Sequence, residues 1–419
     1  MPDPHSSPPA EPKGSDSLQR RLVAVGSALG ASLGALLDHL PGAPHRPIPL
    51  AKGLGVNRAV TSNLLKALAQ DNPLEVLHVI PGPEPLRKIA ARLGDGSLPE
   101  ALLDSAARAI DAFDLLIGDE AGTRPALDAL LAPYLPGARA KLELASRYAV
   151  FKGISQLKGV QGELWIGTAV IAPSPTDPQR LDLTWLNGAS AIQRMRPGVD
   201  VRFSYRFPQR AGKPSVTELE LGPGDDVTSL EQFCANPPAR LLARSVGDAV
   251  HYHLPDDILG PKDKVDMFVV DHHPASMRRF ADPEAGTGVP QLTALFVEIA
   301  IPVANLVFDV ILHEDVFPGA EAQLYFYDTG YNGVANVNDR GRDHERVDQV
   351  APVESLGAGA SAFETEHLPN YLPMLKHMAK RHRWDLAKFR GHRLNLQYPV
   401  LGWQVSMAFE KPLPPGTGE

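Results

Sequence analysis

The sequence predicts a multidomain chain: an all-α domain at the N-terminus, then a β-rich mixed domain, then an α+β domain. Three observations lead to that expectation. Apolar residues recur at helical spacing from Leu18 onward, and helical patterns continue to about residue 140. From Glu163 the texture changes to short alternating runs of β-branched and aromatic residues divided by Pro and Gly. A chain of 419 residues has room for about two to four domains at roughly 100–200 residues each.

Composition narrows the function classes. Hydrophobic residues make up 43%, enough for buried cores, and 40 Pro with 36 Gly imply many turns. The net charge is −8. A protein that coats nucleic acid without sequence preference is basic overall, so any contact with DNA is expected to be local. The single cysteine, Cys234, rules out an internal disulfide framework and a multi-cysteine zinc site. It reads as a small buried hydrophobe in a reducing cytosol. Residues 1–17 are polar and Pro/Ser-rich and read as a disordered leader without a signal-peptide core. The longest apolar run, Leu306 to Leu312, is interrupted by Asp309 and is far short of the ~20 residues of a membrane span. A cytoplasmic protein with no membrane partner is the expectation.

The helical domain is expected over 18–140. Leu18, Leu22, Val25, Leu29, Leu33 and Leu36 form one stripe of a first helix. Gly26, Gly30 and Gly34 follow one another at intervals of four. Each costs about 1 kcal/mol against Ala inside a helix, so close approach of another helix is expected there. Pro41-Gly42 ends this helix.

The most specific stretch of the chain follows, Leu50 to Leu65, LAKGLGVNRAVTSNLL. Leu50, Ala51 and Leu54 share one side of a short helix. Gly55 suits a sharp turn, because positive φ is open to it. Asn57 is a good N-cap. A second helix runs through Arg58 to Leu68, with Val56, Val60, Leu64 and Leu65 turned inward. Arg58, Ala59, Thr61, Ser62, Asn63 and Lys66 are left on or near the outer face. Between Pro41 and Gln70 there are four Lys/Arg (Arg46, Lys52, Arg58, Lys66) and no Asp or Glu. Small and polar side chains with Arg and Asn are what base edges accept, and the positive charge suits phosphates.

This stretch resembles the helix-turn-helix of bacterial transcriptional regulators, in which a pattern like L-A-x-x-L-G-V-(S/N)-R-x-T-V-S-R-x-L recurs. Leu50, Ala51, Leu54, Gly55, Val56, Asn57, Arg58, Ser62 and Leu65 match it. Val60-Thr61 reverses the usual order, and Asn63 stands where Arg is common. The resemblance covers residues 46–70, with the motif itself at 48–68. It implies sequence-specific DNA binding by a homodimer, with Lys52, Asn57, Arg58, Ala59, Thr61, Ser62, Asn63 and Lys66 at the DNA, no catalytic residue and no cofactor. A small-molecule effector is a further expected partner. A wing is expected only weakly: Pro73 to Pro83 reads as strand and turn. Helices follow over 86–93, 98–117 and 124–135.

A connecting helix over 142–157, suited to dimerisation, leads into the β-rich mixed domain, 145–285. Strands are expected over 163–171, 181–186, 199–207, 215–221 and 265–270, with turns at 173–175, Asn187-Gly188 and Pro197-Gly198. A helix is expected over 230–245. The α+β domain, 290–412, holds one bent strand or two over 292–312, strands over 323–327, 393–398 and 404–409, a helix over 370–383, and a polar loop over 328–343. That loop lacks the ligand order of an EF-hand and reads as a border to a ligand site.

Two further constellations give alternatives. Val269 to Pro274 (VVDHHP) resembles the strand-then-DHH motif of the DHH phosphoesterases, whose Asp and His bind paired Mn²⁺. That family's early Asp-x-Asp motif and C-terminal Gly-rich motif are missing here. His251 and His253 alternate beside Asp256 and Asp257, a spacing that can ligate one metal. Asp271, His272 and His273 with His251 and His253 are therefore the weak metal candidates. Residues 376–393 carry seven Lys/Arg, three His and one acid, a patch suited to phosphate or to an acidic surface. A non-catalytic interaction protein, in which the helical pair is purely structural, is the remaining alternative.

Overall fold

The computed structural model describes residues 15–41, 43–94, 98–199, 201–206, 216–217, 227–236, 242–246, 249–254, 263–283, 290–349 and 351–415; of 15–16, 202–206, 216–217, 227–228, 242–246 and 249–252 only the backbone is described. The chain divides into two compact units, Met1–Glu143 and Leu144–Glu419.

The first unit is helical. It contains α1 (Ser15–Asp38), α2 (Pro47–Leu54), α3 (Arg58–Leu68), α4 (Pro73–Val79), α5 (Pro83–Gly94), α6 (Glu100–Leu116) and α7 (Arg124–Leu131). The unit boundary falls inside α8 (Pro136–Lys158). Leu22, Leu29, Leu33, Leu36 and Leu37 of α1 are buried among Leu54, Leu64, Leu77, Ile110 and Phe113. By length and composition α1 is also apolar enough over Ser17–Asp38 to cross a membrane, although Gly and Ser interrupt its apolar residues.

The glycine ladder of α1 is explained in part. A Cβ on Gly26 would run into the backbone carbonyl of Pro73, so only glycine lets α4 approach there. Gly30 meets Val76 at ordinary contact distance, and Gly34 faces open space. Close approach therefore accounts for Gly26, and not for Gly34.

Pro73 to Val79 is helix, not the strand and turn expected from its apolar residues. Pro73 occupies the first turn, where its missing N–H is not needed. Asn72 Oδ1 accepts from the Leu74 N–H at 3.0 Å and caps the helix. At the other end the Arg124 guanidinium donates to the carbonyls of Leu77, His78 and Ile80 at 2.7, 2.7 and 3.0 Å, satisfying C-terminal acceptors. No β-hairpin wing follows α3 among the described residues; α4 and α5 take its place.

The second unit is built on sheets. Its strands are β1 (Val160–Pro173), β2 (Arg180–Arg194), β3 (Val201–Arg206), β4 (Val216–Thr217), β5 (Val227–Ser229), β6 (Leu242–Val246), β7 (Ala249–Leu254), β8 (Val265–Arg278), β9 (Leu292–Glu298), β10 (Val303–His313), β11 (Gln323–Asp328), β12 (Val353–Ala358), β13 (Phe389–Gln397) and β14 (Trp403–Glu410), with helix α9 (Tyr371–His382). A seven-stranded sheet has the order β12-β13-β10-β1-β2-β8-β5, a three-stranded sheet β11-β14-β9, and a four-stranded sheet β3-β7-β6-β4. The seven-stranded sheet is antiparallel except for β1 beside β10, in parallel with Trp165 opposite Leu306.

That sheet overturns the expected separation of 145–285 from 290–412. β1, β2, β5 and β8 come from the first segment and β10, β12 and β13 from the second, yet all share one ladder. Residues on one face (Trp165, Ala169, Phe308, Val310, Met267) pack with Val297, Phe326, Val405 and Phe409 of the three-stranded sheet. Those on the other (Ile166, Val170, Val307, Phe268, Val270) pack with Tyr371, Met374, Leu375 and Met378 of α9. Long-range pairing of this kind leaves no local trace at the link over 281–290.

Two local expectations also change. Asn187-Gly188 lies inside β2 rather than at a turn; a side chain at Gly188 would collide with the backbone of Met267 and Phe268 on β8. The helix expected over 230–245 is a single 3₁₀ turn at Glu231–Phe233, and β6 follows; Pro237 and Pro238 deny a helix its donors there. Residues 292–312 are two strands, β9 and β10.

A buried polar network lies under α9. The Arg393 guanidinium donates to both Asp309 oxygens at 2.9 and 2.7 Å, and the Tyr371 hydroxyl donates to the same carboxylate at 2.5 Å. Thr168 and Tyr371 share a hydrogen bond at 2.9 Å. Burial pushes the Asp309 carboxyl up and Arg393 works against it.

Two glycine substitutions in α1 test the packing. Gly26→Ala should lower the stability of the chain to urea by about 1–3 kcal/mol through overpacking. Gly34→Ala should raise it by up to about 1 kcal/mol, since it removes a helix-interior glycine at no steric cost. Equal effects would show that α4 does not pack at Gly26.

Candidate nucleic-acid interface

The α2–α3 pair is set by three local features. Pro47 starts α2, and Gly55 ends it in the left-handed region at φ 63°. Gly55, Val56 and Asn57 turn the chain, and Asn57 Oδ1 accepts from the Ala59 N–H at 2.8 Å. The Thr61 hydroxyl donates back to the Pro47 carbonyl at 2.8 Å, with the Arg58 carbonyl also at 3.0 Å. That bond ties the first turn of α3 to the first turn of α2. Leu54, Leu64 and Ala67 close the angle between the helices from inside.

The opposite side of α3 is open. Arg58, Ala59, Asn63 and Lys66 are exposed, as are Lys52 and Asn57, and Ser62 is half-buried. Ala59, Asn63 and Lys66 recur at i, i+4, i+7 and so lie on one face. No acid pairs with Lys52, Arg58 or Lys66 among the described residues. Thr61 is the exception among the expected contact residues. It is fully buried, so it braces the two helices and cannot face a ligand. Its position in the reversed Val60-Thr61 pair puts the hydroxyl inward and leaves Val60 half-exposed.

The histidine candidates whose side chains are described do not converge. On β8 the side chains alternate, so Asp271 and His273 share one face, with the His273 ring nitrogen 3.3 Å from the Asp271 carboxylate. His272 points to the other face, where its Nδ1 lies 2.8 Å from the Thr184 hydroxyl. His253 belongs to β7 in the four-stranded sheet, whereas β8 belongs to the seven-stranded one. The His251 side chain, Asp256 and Asp257 lie outside the described residues. Among the described residues no group of three His, Cys, Asp or Glu is arranged to hold a metal ion.

What His272 does meet is His382, with ring centroids 4.3 Å apart, and His382 in turn stacks on Trp384 at 4.7 Å. Burial, helped by the neighbouring His272 and Arg381 and opposed by Asp182, pushes the His382 imidazole down to about 4. Burial likewise pushes the Cys234 thiol up to about 12, as an inert half-buried thiol requires.

The basic run over 376–393 is less available than its composition implies. Arg393 is buried on Asp309. Arg390 donates to the carbonyls of His313, Val316 and Phe317 at 3.3, 2.9 and 2.7 Å. The polar loop over 328–343 does border a groove, of about 700 Å³, whose walls include Tyr325, Asn338, Arg340, Arg346 and Lys411. Arg346 there sits over the Tyr325 ring at 4.7 Å.

The chain matches no protein-family profile and no curated protein. Among solved structures it is similar to an M1 zinc metallopeptidase from Deinococcus radiodurans, as a mutant bound to a Tyr-Ser-Ala substrate, at 10% identity and a TM-score of 0.26. The M1 zinc metallopeptidase from Deinococcus radiodurans in another crystal structure gives 10% identity and a TM-score of 0.25. Each alignment covers 59% of this chain and 42% of the metallopeptidase, less than half its length. A likeness at that level carries no functional inference.

The lowered His382 imidazole predicts that the second unit is acid-sensitive. An imidazole near 6.5 in the unfolded chain and near 4 in the fold takes up its proton preferentially on unfolding. Its contribution is therefore complete above pH 6.5 and is lost as pH falls toward 4. Urea titrations across that range should show stability falling with pH, and His382→Phe, which keeps a ring against Trp384, should flatten the fall. An unchanged slope would place the acid sensitivity elsewhere.

Proposed function

We propose that the protein binds DNA with sequence preference through α3 and acts as a transcriptional regulator. The observation that carries the proposal is the division of α3 into two faces. Thr61, Leu64 and Ala67 are buried against the rest of the unit, while Arg58, Ala59, Asn63 and Lys66 are exposed and neither cation pairs with an acid among the described residues. Docked in a major groove, such a helix places Arg58 and Asn63 at base edges, where each forms two hydrogen bonds with one base. Lys52 and Lys66 meet phosphates, and Ala59 allows close approach.

A dimer on two half-sites about 34 Å apart is the proposed working form. Two exposed apolar side chains on one side of α8 support it: Val150 and Leu157, at i and i+7, are 39 and 76% exposed. A second copy would cover apolar surface that water now meets. On β8, His272 faces away from Asp271 and His273, and that arrangement adds nothing to the metal-dependent phosphoesterase alternative.

Fluorescence anisotropy with genomic fragments, against competitor DNA at two salt concentrations, tests the proposal. Arg58→Ala with Asn63→Ala should weaken the preferred fragment at least tenfold, at about 1–3 kcal/mol per base contact. Lys66→Ala should weaken all fragments alike and reduce the salt slope by about 1. Binding that survives the double substitution unchanged would rule out α3 as the reading helix.

A further inference from the structure

A groove of about 650 Å³ opens in the helical unit, with walls that include Leu50 and Leu54 of α2, Leu93 of α5, Arg46 and Arg92. Its floor is apolar: Leu50, Leu54 and Leu93 are all buried in the fold beneath it. Its rim is cationic. Arg46 and Arg92 are exposed and neither is paired with an acid among the described residues. The other arginines of this unit that face acids take them up: Arg21 bonds Glu120, and Arg87 bonds Asp111 and Asp114 at 2.9 and 2.7 Å. Arg46 and Arg92 flank the apolar floor instead.

Gly53 is the second, independent observation. It lies in the last turn of α2, one residue before the helix ends at Leu54, where glycine still favours a helix less than Ala does. A Cβ there would meet nothing within 4 Å. No close packing and no positive φ explains the glycine, and it lines the groove. Any larger side chain at 53 would project into the open space. With glycine at this wall position, no side chain enters the groove.

We infer that this groove is a binding site for a small amphipathic anion, an apolar body carrying one carboxylate or similar group. The apolar part lies on Leu50, Leu54 and Leu93, and the anion sits between Arg46 and Arg92. The volume falls in the usual range for small-molecule clefts, roughly 300–1,000 Å³, and two guanidinium groups favour a planar anion such as a carboxylate. The inference goes beyond the DNA reading and does not depend on it. Because α2 forms one wall and also supports α3 through the Thr61–Pro47 bond, an occupant would touch the element that sets the angle of α3.

Isothermal titration of the full chain with decanoate, decanol and inorganic phosphate tests the site. Decanoate should bind at least tenfold more tightly than decanol, which lacks the charge, and than phosphate, which lacks the apolar body. Gly53→Leu should weaken decanoate at least tenfold by filling the groove, and Arg46→Ala with Arg92→Ala should do so by removing the cations. Circular dichroism melts of each variant, matching or exceeding the parent, establish that these losses are local; where Gly53→Leu fails to fold, Arg92→Glu replaces it with the same expected loss. Absence of decanoate binding, equal binding of decanol, or a decanoate affinity untouched by the groove substitutions overturns the inference. Arg58→Ala with Asn63→Ala should leave decanoate binding intact, so failure of the DNA reading and failure of this site are separable.

Discussion

The Asp309 carboxylate is fully buried in the middle of a sheet that is apolar on both faces, and the Arg393 guanidinium on the adjacent strand closes on it with two hydrogen bonds. A charge so placed is tolerated only when it is paired and its remaining lone pairs are met. Here Tyr371 meets one, and Arg393 itself spends its other donors on the carbonyls of Phe363 and Glu364. The network therefore fixes β10, β13, α9 and the segment before α9 in one arrangement. The apolar packing on either side needs only volume and hydrophobicity, but this pairing admits one register of β10 against β13, with Asp309 opposite Arg393.

The helical unit uses a smaller device for a similar end. α2 and α3 are short, and short helices are marginal on their own. Gly55 supplies the left-handed turn, Asn57 the cap, and Thr61 a bond across the pair. With those three in place, burial of Leu54, Leu64 and Ala67 holds the angle, and the exposed face of α3 follows from helical periodicity. The proposed chemistry of α3 thus rests on residues that never touch a ligand. Thr61 belongs to that supporting set, although its polarity had placed it among the contact residues.

Much of the local structure was legible in the residues. The helix boundaries of the first unit follow Pro, Gly and Asn punctuation, and Asn57 caps α3 as its type predicts. The strands at 163–171, 265–270 and 404–409 fall within β1, β8 and β14. The failures share a cause. Pro73 to Pro83 reads as strand and turn from its apolar residues, yet Pro73 to Val79 is helix because Asn72 and Arg124 supply partners for its ends. Asn187-Gly188 carries turn chemistry, but the close approach of β8 requires a glycine there for another reason. The candidate site was legible to the same degree: the exposed residues of α3 were nearly all identified, whereas the groove beside α2 was not, because its walls come from residues 46 to 93 and only folding assembles them.

By itself, then, the sequence determined an all-α beginning, a tight Gly55–Asn57 turn between two short helices, a local excess of positive charge, and a β-rich remainder. These are properties of neighbouring residues, governed by propensity, capping and periodicity. Tertiary structure decided that residues 145–285 and 290–412 share one sheet, that β8 sends His272 away from Asp271 and His273, that Arg390 and Arg393 are absorbed into the fold, and that Arg46, Gly53 and Arg92 surround one opening. Each of those depends on contacts between residues tens to hundreds of positions apart, and the side-chain pattern within any one segment is compatible with several such pairings. Only the burial of both sheet faces, and the pairing of the charge at their centre, selects among them.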